Sequence, residues 1–402
     1  MSGFTQPPVT RRAVFLVGGY ERNDAAGFFR RIRRELERFR SCWSVGAELA
    51  EPQSLAGGIA ATAAADYHGL DGSCRSELTF LSFDDIVRRD GARPFAMRLF
   101  AYIVAFGDYV FSGTMFRFFH ANWRFALYFL YPMVVLAASA WLGTLAYRLV
   151  ASLMFPGASV LAAVVGLLIA VVFGRYIGRR YFVFHLMDLW SFSREHLRCR
   201  RPEMDERIDA WAALIAERTA AAPYDEVLLV GHSTGGAIIL DVADRLVQRL
   251  GSEDRKIDFT LLTIGSTSLK IALHPAAVRA RARLETLAQH QSIRWIEFQA
   301  LTDIINFYKC DPFRMAGLSH DRADAFPRMF QVRFREMLQP EAYKRIKRNF
   351  FRVHYQFISA NSRCYFYDFL MICCGTRRLE AVAPDRLPLS PAVTCKQTEL
   401  TT

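Results

Sequence analysis

The chain has no C-x-x-C pair: its eight cysteines (42, 74, 199, 310, 364, 373, 374 and 395) are scattered. That spacing argues against a structural metal site and points to reduced, mostly buried thiols, as in a part of the chain that lies in the cytosol. Zinc-finger spacing, an RNP-like signature and basic-aromatic repeats are also missing, which sets nucleic acid aside as a partner. The net charge of +12, carried mostly by arginine, then favours a membrane face. Val17-Gly18-Gly19-Tyr20 lacks the G-x-G-x-x-G spacing, and no Walker lysine follows a glycine-rich loop, so nucleotide binding is a poor reading. No cofactor or metal is implied. The early apolar run 13–17 is too short for a signal-peptide core and reads as a first strand. No internal repeat is present.

Hydrophobic residues make up 52% of the 402 positions, and the excess is local. Between Arg124 and Arg148 lie 23 residues without a charge, and a second uncharged stretch runs over 149–174. A helix crossing the hydrocarbon core needs about 20 apolar residues, and both stretches qualify, the second best placed over 158–177. A turn signal, Phe155-Pro156-Gly157, separates them. Arg117 and Arg124 precede the first stretch, Arg175, Arg179 and Arg180 follow the second, and only Arg148 lies between. The positive-inside rule then predicts an integral membrane protein with two spans and with both termini and the parts outside the hairpin cytoplasmic. Arginine- and alanine-rich usage points to a bacterial source, which makes that membrane the inner one. Residues 95–123 are rich in Phe and Tyr but carry Asp108 mid-segment, which favours an interfacial segment over a third span.

The predicted organisation is an α/β domain in two parts, 1–94 and 181–375. The interfacial segment 95–123 and a transmembrane hairpin, 124–180, interrupt it, and a proline-containing, disordered tail covers 376–402. Strands are expected over 13–17, 77–83, 226–230, 257–264 and 293–298, alternating with helices. That alternation implies a mainly parallel sheet covered on both faces. A helix with Phe29, Ile32, Leu36 and Phe39 on one face carries a run of arginines on the other. They read as a solvated face, with contact to anionic headgroups as the sharper reading.

The most informative stretch is EVLLVGHSTGGAIIL, residues 226–240. A buried strand runs into Gly231-His232-Ser233-Thr234-Gly235 and then into a helix with apolar residues at Ile239, Val242, Leu246 and Leu250, capped at Gly251. G-x-S-x-G between strand and helix is a nucleophile elbow. A serine hydroxyl needs a base within hydrogen-bond reach, and the base needs an acid to fix its tautomer.

On these residues the chain resembles the α/β-hydrolase superfamily over roughly 11–90 and 200–375. The resemblance implies a triad in the order Ser, Asp or Glu, His, with the last two on loops after late strands. Ser233 is then the nucleophile. Asp303, after the strand IRWIEF, is the leading acid, with Asp311 as runner-up and Asp258 disfavoured inside a strand. For the base, His354 after a β-like run leads over His320 in a polar loop. His68, His120, His185, His196, His274 and His290 break the order, and His232 is set aside as the x of the elbow. The oxyanion hole would use the N–H of Thr234 and one from Gly19 or Tyr20, where the family often has His-Gly.

The expected function is a membrane-anchored serine hydrolase, esterase- or lipase-like, cleaving carboxylic esters through an acyl-enzyme. The expected partners are the bilayer and an acyl-ester or lipid-like substrate. An acyltransferase or thioesterase would use the same serine, and a catalytically inactive hydrolase fold serving as a membrane scaffold is the alternative from a different class. Substrate identity and oligomeric state stay open at this point.

Overall fold

The structure is a computed structural model that describes residues 7–153, 159–253, 255–256, 258–387 and 391. The turn signal at 155–157 and most of the expected tail beyond 387 lie outside the described residues. The chain divides into two compact units, one formed by residues 1–89 and 196–402 and the other by 90–195.

The first unit opens with β1 (Arg11–Val17), α1 (Ala25–Trp43), β2 (Gly46–Leu49), β3 (Gln53–Leu55), β4 (Ala60–Gly69), β5 (Gly72–Leu81) and α2 (Asp84–Ala92). The second unit holds α3 (Phe95–Phe111), α4 (Thr114–Leu153), α5 (Ser159–Arg180) and most of α6 (Val183–Leu197). The first unit resumes with α7 (Pro202–Ala221), β6 (Glu226–His232), α8 (Gly235–Ser252), β7 (Thr260–Ile264), α9 (Leu269–Ala272), α10 (Val278–Gln289) and β8 (Arg294–Ala300). It ends with α11 (Pro312–Ala316), β9 (Arg328–Val332), α12 (Phe334–Met337), α13 (Pro340–Ile346), α14 (Phe350–Tyr355) and α15 (Phe369–Cys374).

The nine strands form one mixed sheet in the order β2-β4-β5-β1-β6-β7-β8-β9, with β3 also on β4. From β5 to β9 every pairing is parallel, whereas β2, β3 and β4 form an antiparallel edge. The central parallel strands are near-continuous apolar runs because both faces are covered. Val14 and Leu16 of β1, with Leu228 and Val230 of β6, face a core shared with Phe28, Phe29, Ile32, Leu36 and Phe39 of α1 and with α15. α8 packs on the other face against β6 and β1, with α7 and α10 against it. At the start of the sheet, buried Arg12 pairs with Glu226 at 2.7 Å and donates to the carbonyls of Gly375 and Arg377. Those bonds tie residues 375–377, at the head of the expected tail, to the centre of the fold.

Sequence order positions the site. The chain leaves β1 for β5 on one side and returns to β6 on the other, so the two loops at the C-terminal ends of β1 and β6 diverge. Such a switch point opens a crevice at the C-terminal edge of a parallel sheet, where ligands bind in open α/β folds.

In the second unit, α4 and α5 are long and apolar enough to cross a membrane, with mean hydropathies of 1.8 and 2.4 over their best windows. Asn122 leaves helical geometry (φ −157°, ψ 101°) and its side chain accepts from Arg124 and Phe125 N–H, so it caps the long apolar part of α4. α4 and α5 meet through small residues: a Cβ on Gly143 would stand 2.7 Å from the Ala170 Cβ, and one on Gly166 would stand 2.6 Å from the Gly143 carbonyl. Close approach through small residues is how helices associate where burial against lipid gives no driving force. Trp141, Leu145, Val160, Val164, Leu167 and Leu168 point outward, exposed. The stretch 95–123 forms α3 and the head of α4, and Asp108 of α3 is ion-paired with Arg194 of α6 at 2.7 Å. Arg98 and Asp188 make a second, bidentate pair across the same two helices.

Candidate active site

The elbow is built by close approach. A Cβ on Gly231 would lie 2.5 Å from the Gly235 carbonyl, and one on Gly235 would overlap the Val17 carbonyl of the neighbouring strand. Only residues without a side chain allow β6, α8 and the end of β1 to pack this tightly. Ser233, between them, sits at φ +59°, a left-handed conformation that costs a non-glycine residue about 1 kcal/mol or more. Its N–H donates to the Ile264 carbonyl at 3.2 Å, and its own carbonyl accepts from Gly236 and Thr267, so the turn is held from three sides. The Ser233 side chain is half-buried and faces Gly19, whose Cβ position lies 3.4 Å from Ser233 Oγ.

Asp303 lies on the loop after β8, fully buried, with Oδ1 accepting the Ile305 N–H at 2.9 Å. The Asn306 side chain braces that loop, bonding both the N–H and the carbonyl of Ala300 and the carbonyl of Asp303. Asp303 Oδ2 meets His354 Nδ1 at 2.7 Å, across 51 residues of sequence. His354 is buried near the end of α14, which Asn349 caps by accepting from Arg352 N–H. The run before His354 is therefore helical rather than β-like: Asn349 starts a helix and Val353 buries on its inner face. Gly265 (φ +54°), at the end of β7, approaches the ring from below, its Cβ position 3.1 Å from His354 Cε1. His354 Nε2 is buried and, among the described residues, makes no hydrogen bond, so none joins it to Ser233 Oγ.

Thr234 is buried ahead of α8, whose first backbone bonds are Gly236 to Ser233 and Ala237 to Thr234. The N–H groups of Thr234 and Gly235 precede these bonds, at the positive end of the helix dipole. Tyr20 follows Gly19 and is buried.

The other sequence candidates lie in different surroundings. Asp311 caps α11 by accepting from Phe313 and Arg314 N–H. His320 packs against Phe313 and faces the Phe326 carbonyl at 3.1 Å. Asp258 is bound to Lys256 and Arg294, and it precedes β7 instead of lying inside it. Gly251 falls within α8, which continues to Ser252.

Four residues around the site carried no usable sequence signal. His232 is buried, its ring 4.7 Å from that of His354, and its Nε2 lies 3.3 Å from the His354 carbonyl. A carbonyl only accepts, so Nε2 carries the proton and His232 is the Nε2–H tautomer. Burial first, and then the His354 and Arg31 charges, hold His232 well below the usual histidine range. Lys270 is fully buried and donates from Nζ to Thr234 Oγ1 at 3.1 Å; burial pushes its ammonium down to about 7. Glu21 stands on the loop after β1, where burial raises its carboxyl above the usual range. Arg31, on α1, is lowered by burial.

A strained serine beside a glycine-lined loop, a buried Asp–His pair and a helix start that offers N–H groups form a chemically coherent set. It suits attack by a hydroxyl on a carbonyl carbon. No family model matches the chain, and neither does a curated protein or a solved structure.

Proposed function

We propose that the chain is a membrane-anchored serine hydrolase of the α/β-hydrolase kind, cleaving carboxylic esters, lipid or acyl esters among them. The observation that carries this reading is the buried Asp303–His354 pair, whose Nε2 has no hydrogen-bond partner among the described residues and lies at the same sheet edge as strained Ser233. In the proposed reaction Ser233 Oγ attacks the ester carbonyl while His354 Nε2 takes its proton, and Asp303 stabilises the imidazolium. The N–H of Thr234, with one from Gly19 or Tyr20, receives the developing oxyanion. His354 then returns the proton to the leaving alcohol, and a water it activates releases the acyl group from Ser233.

The α4–α5 hairpin would anchor the enzyme. Its flanking arginines, Arg117 and Arg124 before and Arg175, Arg179 and Arg180 after, support a cytoplasmic hydrolase part and cytoplasmic termini by the positive-inside rule.

Proton transfer needs a Ser233–His354 contact that this structure does not make. Catalytic hydrogen bonds often tighten only once substrate is bound. The open contact is also the observation that favours a second reading, a hydrolase-like fold serving as a membrane scaffold without catalysis. Labelling of membranes with a fluorophosphonate separates the two. Labelling of wild type that vanishes in Ser233→Ala and collapses in His354→Ala supports the hydrolase. Folded wild-type protein that takes up no label supports the scaffold.

A further inference from the structure

α1 carries a run of arginines, and most that surround Arg31 on the structure are exposed. Arg33 pairs with Glu51 at 2.9 Å, and Arg34 and Arg38 share Glu35 at 3.3 and 3.2 Å. Arg31 differs. Among the described residues it makes no ion pair within 4.0 Å, and its Nε is buried without an acceptor. Its guanidinium lies over the rings of Tyr355, at 5.1 Å, and Phe28, at 5.8 Å. Tyr355 follows His354 in sequence, and its ring is 5.9 Å from that of His232, which in turn packs on His354. An aromatic shelf therefore holds a cation beside the candidate base.

Two carboxylates attract this cation without neutralising it. Glu35 already serves Arg34, Arg38 and the Ala360 N–H. Burial raises the Glu21 carboxyl above its usual range, and among the described residues Glu21 makes no ion pair with Arg31 within 4.0 Å. A partly buried guanidinium without a direct ion-pair partner is costly, and that cost falls when an anion binds it. The planar fork of an arginine matches the paired oxygens of a carboxylate or phosphate, and such charge-assisted bonds are about twice as strong as neutral ones.

We propose that Arg31 receives an anionic group of the substrate, so that the ester cleaved at Ser233 carries a phosphate or carboxylate in addition to its acyl bond. This rests on the serine-hydrolase reading. The group could belong to a lipid headgroup or to a small acidic ester, and the same chemistry recognises both.

The test uses the full chain in nanodiscs and two matched pairs of esters. One pair is 1-oleoyl-lysophosphatidylglycerol against 1-monooleoylglycerol; the other is mono-4-nitrophenyl glutarate against 4-nitrophenyl butyrate. Wild type should prefer the anionic member of at least one pair by about tenfold or more in kcat/KM. In Arg31→Met that preference should vanish, and Arg31→Lys should keep part of it, having charge without the fork. Preference confined to the lipid pair identifies a headgroup, and preference confined to the soluble pair identifies a small acid. A wild-type preference that survives Arg31→Met, or no preference at all, overturns the proposal while fluorophosphonate labelling still upholds the hydrolase. Failure of wild type to label takes down the reading beneath it. A second readout needs no variant: glycerol 3-phosphate should slow labelling of wild type while glycerol does not, and equal effects of the two overturn the proposal.

Discussion

His354 Nδ1 lies 2.7 Å from one oxygen of Asp303, and the other oxygen of that carboxylate takes the Ile305 N–H at 2.9 Å. The two bonds fix how an amide would sit in the same place. In Asp303→Asn the carbonyl oxygen would stay with Ile305 and the NH2 would face His354. The ring would then accept at Nδ1 and carry its proton on Nε2, where it cannot serve as a base. Labelling and ester turnover should fall by roughly 10³–10⁴, the loss that follows when a triad base is held in the wrong tautomer. The melting temperature should move little. A variant that labels at the wild-type rate removes Asp303 from the chemistry.

His232 acts on the same base from its other side, through a ring contact at 4.7 Å and its bond to the His354 carbonyl. His232→Ala should open a cavity, lower stability by about 2–4 kcal/mol and slow labelling about tenfold. His232→Phe keeps the ring volume but loses the donor, so its labelling rate should fall between wild type and His232→Ala. Equal rates in all three would leave His232 a purely structural core residue.

The elements around these residues were unequally legible. The strands ending at Val17, His232, Ile264 and Ala300 are apolar runs bounded by turn residues, and sequence places each within a few positions. β4 was not visible because Ala60, Ala61, Ala63, Ala64 and Ala65 are poor strand formers; cross-strand pairing with β5 holds them extended. β9 is as short as β7 but lacks its apolar run: in RMFQV only Phe330 and Val332 are buried, so it escaped. The segment before His354 has the β-rich composition of a strand, yet Asn349 starts a helix there, so local propensity gave way to capping. The order Ser233, Asp303, His354 could be proposed because elbow and strand ends leave a signature. Lys270 and Arg31 leave none: a lone lysine or one arginine of many gains meaning only from what surrounds it.

Lys270 makes the pH dependence of stability a test of that surrounding. Burial lowers its ammonium from the ordinary 10.5 to about 7, so between those values the unfolded chain holds a proton that the folded chain has released. Stability should therefore rise as pH increases from about 7 to about 10.5, by an amount on the order of 4 kcal/mol if nothing else titrates. Lys270→Met should abolish that rise and be more stable than wild type at pH 7. It should also slow labelling, because Thr234 Oγ1 loses its donor beside the elbow. Denaturant unfolding at pH 7 and pH 9.5 measures the first effect; parallel slopes for the two proteins would show that Lys270 stays charged in the fold.

The small-residue seam between α4 and α5 gives a geometric test of the hairpin. A Cβ on Gly174 would stand 3.6 Å from the Ser139 Cβ, close to the separation that a disulfide spans. Ser139→Cys with Gly174→Cys should cross-link readily on mild oxidation of membranes, read as a link between the two spans after proteolysis of the chain between them. Adding Gly166→Leu should stop it. A Cβ there would already lie 2.6 Å from the Gly143 carbonyl and 3.0 Å from the Tyr147 Cβ, so the larger side chain must push the helices apart. Leucine raises the hydropathy of α5, so resistance to alkaline extraction should be the same in both proteins. No cross-link in the double-cysteine protein would mean that the two helices do not meet along this seam in the bilayer, and one that persists with Gly166→Leu would mean that Gly166 does not pack against Gly143 and Tyr147 there.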